Sequence, residues 1–484
     1  MIPGAILAYL VLLSLIGLWS ARRSRASTDF YLAGRRLGLL TSVLATMASI
    51  MSGFVFVGGP GLFYSVGLGS FWIVISASFT GAMMCWLLAR PLHALAANAG
   101  CLTIPDVILA RYGCRFSSGF AAVGILLGVV GYLATQLLAL GVILAGIFHT
   151  SIWLGILVGA FVLVFYTTAG GMVAAVYTDV LQGAVMLVST AVIFFYALSG
   201  GGGFARISAV MLREAPDLLS PWGLVGPIGC LGWFFLFALG SLGQPHVVHK
   251  MMMIRDLRLL KHFPWILAVS MTVCSLVWLG VGLCVKSQVL GGTLASLAHP
   301  DEAITAFLRG FAPAWVGALA YAGIVSAIMS TADSFSNIGA AVLARDLPRV
   351  FGRQAEPTIK RSRIFSVVVF VLALTFALWV KGLVAYAGIL GFGIFAAALT
   401  PLLSVGLNWP EATAWSARAS LVVGTCGAVA GEIMSRLNLY PLQIPPACLA
   451  LVLSFIVFLG IGLLHRGQQS REWRCYHVDV VTDE

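Results

Sequence analysis

Two neighbouring hydroxyl side chains, Ser330 and Thr331, lie inside a long apolar stretch of the sequence. Positions i, i+3 and i+4 of an α-helix share one face, so oxygens of residues 327, 330 and 331 can converge on a single ion. Hard cations prefer such oxygen ligands. The alternative is that each hydroxyl bonds back to a carbonyl of its own helix. The spacing alone leaves both interpretations open.

Two carboxylates, Asp179 and Asp333, also fall within apolar stretches. A charge inside a membrane span is costly and usually functional, so we expect these residues to bind a cation or exchange a proton. The competing interpretation for Asp179 places it about five residues, roughly 7 to 8 Å, from the cytoplasmic end of its span, where water hydrates it. Glu432, near an outer helix end, is typical of a wetted surface carboxylate.

The chain that carries these side chains has 484 residues, of which 60% are hydrophobic and 9% charged. Soluble domains are roughly 45 to 50% apolar. Apolar stretches of about 20 residues, enough to cross a bilayer, recur along almost the whole length. The nine cysteines have no CxxC or Cys/His spacing, so they indicate neither a zinc site nor a disulfide framework. The composition predicts an all-α membrane protein.

The apolar pattern predicts about thirteen transmembrane helices. They cover residues 2–20, 39–60, 70–90, 118–147, 151–168, 174–199, 223–242, 265–288, 312–343, 364–380, 383–407, 416–436 and 445–465. Most of the 28 lysines and arginines fall in loops on the side of the C-terminus. Cytoplasmic loops carry the basic excess, so we expect the N-terminus outside and the C-terminus inside. The formal charge of +11 therefore orients the chain and indicates no nucleic-acid partner.

Glycine and proline interrupt two of these spans. The second contains Gly53 and the run 58–60 (GGP), and the seventh ends in the run 243–245 (GQP). Irregular backbone inside a membrane is tolerated where it is buried or lines a cavity, and interrupted helices in inverted repeats are typical of transporters. Because the two spans lie five apart, spans two to six and seven to eleven are predicted to form an inverted pair. The alternative is ordinary close helix packing by glycine.

At these places the sequence resembles the sodium:solute symporter family, nearest in motif to its sodium/proline type. The matching segments are DFYLAGRRLG (29–38), TMASIMSG (46–53), Gly170-Gly171 with AVYTD (175–179) and Gln182, GQPH (243–246) and SAIMST (326–331). The resemblance implies a LeuT-like core of five plus five helices and alternating access. It also implies sodium-coupled symport of a small organic solute, such as a proline-like amino acid or a small carboxylate.

The resemblance also implies a division of the chain. Residues 1–38 form an extra helix and a basic loop, 39–200 and 223–408 the two repeats, 201–222 an external loop, 409–465 two final helices and 466–484 a cytoplasmic tail. We expect a multi-pass protein of the cell inner membrane, in contact with lipid and monomeric or weakly oligomeric.

The family's cation ligands carry over residue by residue. The main sodium site takes the carbonyls of Ala48, Met51 and Ala327 and the hydroxyls of Ser330 and Thr331, with Na⁺ as a coupling ion. Asp179, Asp333 and Ser334 make a second cation site or a protonatable pair. Many proline-type relatives have an aspartate where this chain has Ile50, which puts sodium affinity in doubt and leaves a proton-coupled symporter of an organic acid open.

The solute is expected near the midplane, between the interrupted helices and beside the cation. The candidate residues are Ser52, Phe54, Val55, Trp72, Phe237, Ser241, Gln244 and Phe392. Proline-type relatives carry an aromatic pair at the positions of Phe237 and Ser241. The smaller side chains of this chain enlarge the pocket. Sugar-transporting relatives have a glutamine where this chain has Val55. A bound sugar would lack that hydrogen-bond partner, and each buried polar group left unpaired costs about 1 to 3 kcal/mol. A sugar is therefore disfavoured. The alternative for the aromatic residues is packing or lipid contact.

Other functions find less support in the sequence. No Ser/His/Asp, HExxH or phosphate-loop pattern indicates an enzyme. A transporter-like membrane sensor would need a signalling module, and the tail after the last span has only about twenty residues. An uncoupled channel would conduct without accumulating its solute.

Overall fold

The computed structural model describes residues 2–21, 37–352, 358–380 and 382–465. These residues form helices, and within them the pairing of extended backbone is confined to an isolated parallel bridge between Leu37 and Ile254. Residues 29–36 of the predicted entry motif and the predicted tail at 466–484 lie outside the described residues. The predicted all-α class is confirmed for the described part of the chain.

The helices follow one another with short connections. The α-helices are α1 (Ile2–Ala21), α2 (Leu39–Ile50), α3 (Gly59–Val66), α4 (Phe71–Met83), α5 (Arg90–Asn98), α6 (Ile104–Tyr112), α7 (Arg115–Phe148), α8 (Ile152–Gly200), α9 (Phe204–Glu214), α10 (Pro216–Leu219), α11 (Gly226–Gly240), α12 (Pro245–Met252), α13 (Phe263–Leu290), α14 (Ala303–Gly310), α15 (Ala314–Ala341), α16 (Leu347–Val350), α17 (Ile359–Trp379), α18 (Val384–Thr400), α19 (Ala414–Arg436) and α20 (Pro446–Leu464). Short π-helical turns cover Phe54–Gly58, Met84–Ala89, Val342–Asp346 and Pro401–Val405, and 3₁₀ turns cover Gly67–Ser70, Ser241–Gly243, Leu257–Lys261 and Pro300–Glu302.

Most of these helices suit a bilayer. In the described ranges, ten helical segments are long and apolar enough to cross a membrane, and Leu39–Ile50 and Ile152–Thr168 are shorter apolar helices. A multi-pass membrane protein is therefore confirmed. The count of thirteen spans and the side on which each terminus lies stay predictions.

Helix α8 holds two of the predicted spans in 49 residues of helical backbone. A straight helix of that length would extend about 74 Å, more than twice the thickness of a bilayer core. Both of its ends nevertheless lie near the end of α7. Gly146 of α7 packs against Thr305 of α14, and Gly200 at the end of α8 packs against Phe311, which follows α14. The chain therefore reverses within α8, between the two predicted spans.

The predicted interruption of the second span is confirmed. Helix α2 ends at Ile50, Met51 has extended backbone with ψ 111°, and the helix resumes beyond Ser52. Gly53 lies at the closest approach of three helices, where an added Cβ would come within 2.6 Å of the Ala139 side chain. We call α2, the turn at residues 51–53 and α3 the first broken span.

The seventh span is interrupted as well. Helix α11 ends at Gly240, a 3₁₀ turn follows, and Gln244 is extended before Pro245 begins α12. Proline disfavours helical geometry in the preceding residue and suits the first position of a new helix, which explains the position of this break. An added Cβ on Gly243 would lie 2.6 Å from the Thr400 hydroxyl of α18. We call α11, the turn and α12 the second broken span.

Candidate functional site

The Ser330 hydroxyl on α15 faces the first broken span. Ser330 is fully buried, and its hydroxyl donates to the carbonyl oxygen of Ala48 over 2.7 Å. The same hydroxyl lies 3.2 Å from the carbonyl oxygen of Ala327, one turn earlier in α15. The shorter contact crosses between helices, so back-bonding within α15 is not the main interaction of this side chain.

The Thr331 hydroxyl reaches the same turn of the first broken span. Its oxygen lies 3.2 Å from the carbonyl oxygen of Ser49 and 3.5 Å from that of Met51. The structure thus brings together all five groups predicted for the main sodium site: the carbonyls of Ala48, Met51 and Ala327 and the hydroxyls of Ser330 and Thr331. We call these five groups the oxygen cluster.

The break in α2 makes the Ala48 carbonyl available. In a continuous helix the amide of Ser52 would bond to this carbonyl, four residues earlier. The last such bond in α2 runs instead from the Met51 amide to the carbonyl of Met47, over 2.8 Å. Since Met51 then adopts extended backbone, the Ala48 carbonyl accepts from Ser330.

Gln136 on α7 holds the broken turn in place, although it is not among the residues predicted from the sequence. Its side-chain oxygen accepts the Gly53 amide over 2.9 Å, and its nitrogen donates to the Tyr132 carbonyl over 3.3 Å. Gly53 would otherwise bond to the carbonyl of Ser49, which faces Thr331 instead. A glutamine inside an apolar span is a signal that could have identified this residue.

Asp179 is buried and ion-paired, so the hydrated interpretation of this residue is wrong. Its side chain has 0% exposure, and its carboxylate bonds to the ammonium of Lys250. Lys250 lies on α12 with 2% of its side chain exposed and also donates to the Ala45 carbonyl over 2.9 Å. In the sequence, Lys250 falls in the predicted loop between the spans 223–242 and 265–288. Helix α12 instead continues the second broken span into the protein interior, where a lysine requires partners.

Asp333 and Ser334 lie close to the same group. Asp333 is 5% exposed and hydrogen-bonds with Tyr166 of α8. The Ser334 hydroxyl lies 3.1 Å from that of Ser49, which also interacts with the Asp179 carboxylate. Two of the three residues predicted for a second cation position, Asp179 and Ser334, therefore meet at Ser49 of the first broken span, while Asp333 contacts Tyr166.

A cavity with an empty volume of about 500 Å³ lies beside the oxygen cluster. Its lining residues are Ile50, Met51, Phe54, Val55, Ile73, Val74, Ser76, Thr80, Tyr132, Phe237, Ser241, Met271, Ser275, Trp278 and Phe392. Five of these were predicted from the sequence: Phe54, Val55, Phe237, Ser241 and Phe392. The other residues come mainly from α4, α7 and α13, whose register against the broken spans follows from packing.

Aromatic rings form one wall of the cavity. Phe237 stacks on Phe392 with ring centroids 4.2 Å apart, and on Phe54 at 5.7 Å. Trp278 meets Phe54 edge-on at 5.6 Å. The opposite polar groups are hydroxyls, among them Thr80, which donates to the Ser241 oxygen over 3.4 Å. None of the lining residues carries a charged side chain.

Three predicted pocket residues lie outside this lining. Trp72 instead faces the connection before α11: its ring nitrogen donates to the Pro221 carbonyl over 2.9 Å and its ring stacks on Trp222. Ser52 contacts the cavity indirectly, since its hydroxyl lies 3.2 Å from that of Tyr132.

Gln244 serves the second broken span itself. Its side-chain nitrogen donates to the Gly240 carbonyl over 3.2 Å and to the Phe392 carbonyl over 3.1 Å. These bonds satisfy carbonyls near the break and join the second broken span to α18. Gln244 therefore positions the cavity wall without lining the cavity.

The fold and this site define a cation-coupled membrane transporter. The model of the sodium:solute symporter family matches residues 30–424, so the chain belongs to this family. It is therefore a symporter that couples a small solute to sodium.

Curated relatives cover nearly the whole chain. The high-affinity proline transporter PutP of Bacillus subtilis (strain 168) is 30% identical over 442 residues, covering 86% of this chain and 89% of the relative. The sodium/pantothenate symporter of Escherichia coli (strain K12) is 26% identical over 476 residues, covering 94% of each.

Solved structures confirm the LeuT-like fold. A Na⁺-coupled sialic acid symporter in a substrate-bound outward-open state has a TM-score of 0.78 at 17% identity and covers 95% of this chain and 97% of that one. The nucleobase-cation-symport-1 transporter Mhp1, closed with bromovinylhydantoin bound, has a TM-score of 0.56 at 15% identity and covers 94% and 99%.

Proposed function

We propose that this symporter moves a proline-like amino acid or a small organic carboxylate together with Na⁺, with the ion held by the oxygen cluster. One observation carries the proposal: Met51 belongs to both places. Its carbonyl lies 3.5 Å from the Thr331 hydroxyl, and its side chain lines the aromatic cavity. An ion in the oxygen cluster therefore fixes the turn that forms one wall of the solute cavity.

The oxygen cluster suits a monovalent hard cation. It consists of five neutral oxygens, three from carbonyls and two from hydroxyls. Two of the carbonyls come from the break in the first broken span, where the backbone is irregular and buried, as transporter ion sites require. Ile50 lines the cavity instead of facing the ion, so the site operates without the carboxylate that many proline-type relatives place there.

The cavity suits a small, largely apolar solute. Ten of its fifteen lining residues are aliphatic, Met, Phe or Trp, and the other five carry hydroxyl groups. A sugar would leave several hydroxyls unpaired against such walls, at about 1 to 3 kcal/mol each. A proline-like amino acid presents an apolar body and few polar groups. The names of the two curated relatives, which transport proline and pantothenate, support the same class.

Alternating access requires the two ends of the protein to open in turn. At one end, Arg345 beyond α15 pairs with Asp106 of α6 at 2.7 Å. At the other end, the Asp301 carboxylate accepts the Val384 amide at the start of α18 over 2.8 Å. We infer that this ion pair and this hydrogen bond close opposite sides of the cavity and break in alternate states.

The remaining assignments are part of the same proposal. Residues 39–200 and 223–408 form the two repeats, each led by a broken span, and the protein resides in the cell inner membrane as a monomer or weak oligomer. Asp179, Asp333 and Ser334 form a second cation-binding group.

A reconstitution experiment tests the proposal. The purified protein is placed in proteoliposomes and given radiolabelled proline, pantothenate and small carboxylates, with Na⁺, Li⁺ or proton gradients imposed separately. We expect concentrative uptake of one of these solutes that collapses when the Na⁺ gradient is dissipated. Uptake driven by the proton gradient alone would instead support the alternative of a proton-coupled organic-acid symporter. Solute flux without accumulation would indicate a channel.

A further inference from the structure

Lys250 is an unusual residue for its location. It ranks among the largest fully buried side chains of the described residues, which are otherwise apolar. A buried ammonium is retained only where charged and hydrogen-bonding partners compensate its lost hydration. The partners of Lys250 therefore identify what this charge does.

The ammonium of Lys250 lies between two helices. It bonds to the Asp179 carboxylate of α8 and donates to the Ala45 carbonyl of α2 over 2.9 Å. An anionic oxygen and a backbone carbonyl are also ligands that a bound metal cation would use. The ammonium thus occupies a position whose surroundings suit a monovalent cation.

This position adjoins the oxygen cluster. Ala45 precedes Ala48 by one turn of α2. Ser49, the residue after Ala48, interacts through its hydroxyl with Asp179. The Ser49 carbonyl faces Thr331, 3.2 Å from its hydroxyl. The Asp179 carboxylate therefore contacts Ser49, which is next in the chain to Ala48, one of the proposed ligands of the transported ion.

The Lys250 ammonium already compensates the Asp179 carboxylate. Both side chains are buried, and the two charged groups are in direct contact. A Na⁺ bound at the same position would meet an ammonium as well as a carboxylate. It would leave an uncompensated positive charge in the protein interior, which is strongly unfavourable.

We propose that the Lys250 ammonium is a tethered cation that fills the position formed by Asp179, Asp333 and Ser334, so that the transporter binds and moves a single Na⁺. This inference rests on the proposed function of the oxygen cluster. It replaces a second transported ion by a side chain of the chain itself, and it makes Lys250 and Asp179 positioning residues for the first broken span.

Binding of ²²Na⁺ to the purified full-length protein tests the inference without requiring the solute. We expect the wild type to bind one Na⁺ per chain. In Lys250→Met the unbranched side chain is kept but the terminal ammonium is lost, so the vacated position takes up an ion and the number rises to two. In Lys250→Met/Asp179→Asn the position has lost its carboxylate as well, and the number returns to one. Lys261→Met, at an exposed lysine, is the matched control and stays at one.

Each outcome decides a different point. Two ions bound to the wild type, or one ion bound to folded Lys250→Met, would overturn the tethered-cation proposal and leave the oxygen cluster intact. No Na⁺ bound to the wild type would overturn the proposed function instead. If Lys250→Met does not fold, the Na⁺ dependence of wild-type uptake decides: a Hill coefficient near one supports the inference, and a value near two rejects it.

Discussion

The hydroxyl oxygen of Ser330 lies 2.7 Å from the carbonyl oxygen of Ala48, although 282 residues separate them in the chain. The contact exists because α2 stops short of its regular hydrogen bond at this carbonyl, while α15 passes the break as continuous helix. A break in one helix and a hydroxyl on another thereby form a cation site that neither element could form alone.

Removing the two hydroxyls of the oxygen cluster should weaken sodium binding. We expect Ser330→Ala/Thr331→Ala to raise the Na⁺ concentration for half-maximal uptake by roughly tenfold or more, because even indirect partners of metal ligands contribute about 10- to 100-fold to affinity. Ser336→Ala is the matched control, since this buried hydroxyl on the same helix has no hydrogen-bond partner among the described residues. Unchanged sodium dependence in the double variant would remove the main-site assignment.

Gln136 should support the break in the first broken span. In Gln136→Leu the Gly53 amide loses its acceptor, and leaving a buried donor unpaired costs about 1 to 3 kcal/mol. We expect a lower melting temperature together with weaker Na⁺ stabilisation of the folded protein, measured by thermal unfolding with and without Na⁺. Gln182→Leu provides the comparison, because that buried amide makes no hydrogen bond within the described residues. Equal behaviour of the two variants would contradict the role of Gln136.

The size of residue 237 should determine which solutes fit. Phe237 stacks between Phe54 and Phe392, so Phe237→Trp narrows the cavity without adding a charge. We expect the inhibition constant of the larger solute pantothenate to rise at least several-fold while that of proline changes little, measured by competition with uptake of the transported solute in proteoliposomes. Trp72→Ala, outside the cavity lining, should leave both values unchanged. A large change of either value in Trp72→Ala would indicate that Trp72 contacts the solute.

Asp301 should make stability depend on pH. Burial raises the pKa of this carboxyl, which lies in the connection between α13 and α14, from 3.8 to about 7. The folded protein therefore holds this proton more tightly than the unfolded chain, and the corresponding stability, complete below about pH 4, is lost as the pH rises towards 7. We expect Asp301→Asn to show a smaller decrease of melting temperature over that range than the wild type.

The control for Asp301 is Asp217→Asn, at an exposed aspartate of α10. This variant should follow the wild-type pH profile, because the side chain of Asp217 is exposed to solvent in the folded protein and makes no buried contact that the substitution would remove. If Asp301→Asn and the wild type lose melting temperature in parallel, another group determines the pH dependence.

The membrane class and the positions of the two helix breaks follow from the sequence alone, and the resemblance to the symporter family supplied the five groups of the oxygen cluster. These features are local. Apolar length is a property of one segment, the break before Pro245 follows from proline geometry, and residues 327, 330 and 331 share a face in any α-helix. The first broken span and its motif could therefore be recognised without knowing which helices surround them.

Tertiary structure alone decided which residues from distant helices meet. Lys250 falls between two predicted spans in the sequence, and only the folded chain places its ammonium against Asp179 and Ala45. Gln136 has its role because α7 brings its side chain to the Gly53 amide. Trp72 was placed in the cavity from its position in the chain, yet it stacks on Trp222 elsewhere. Such pairings depend on the register and tilt of packed helices, which the apolar pattern of a single segment does not encode.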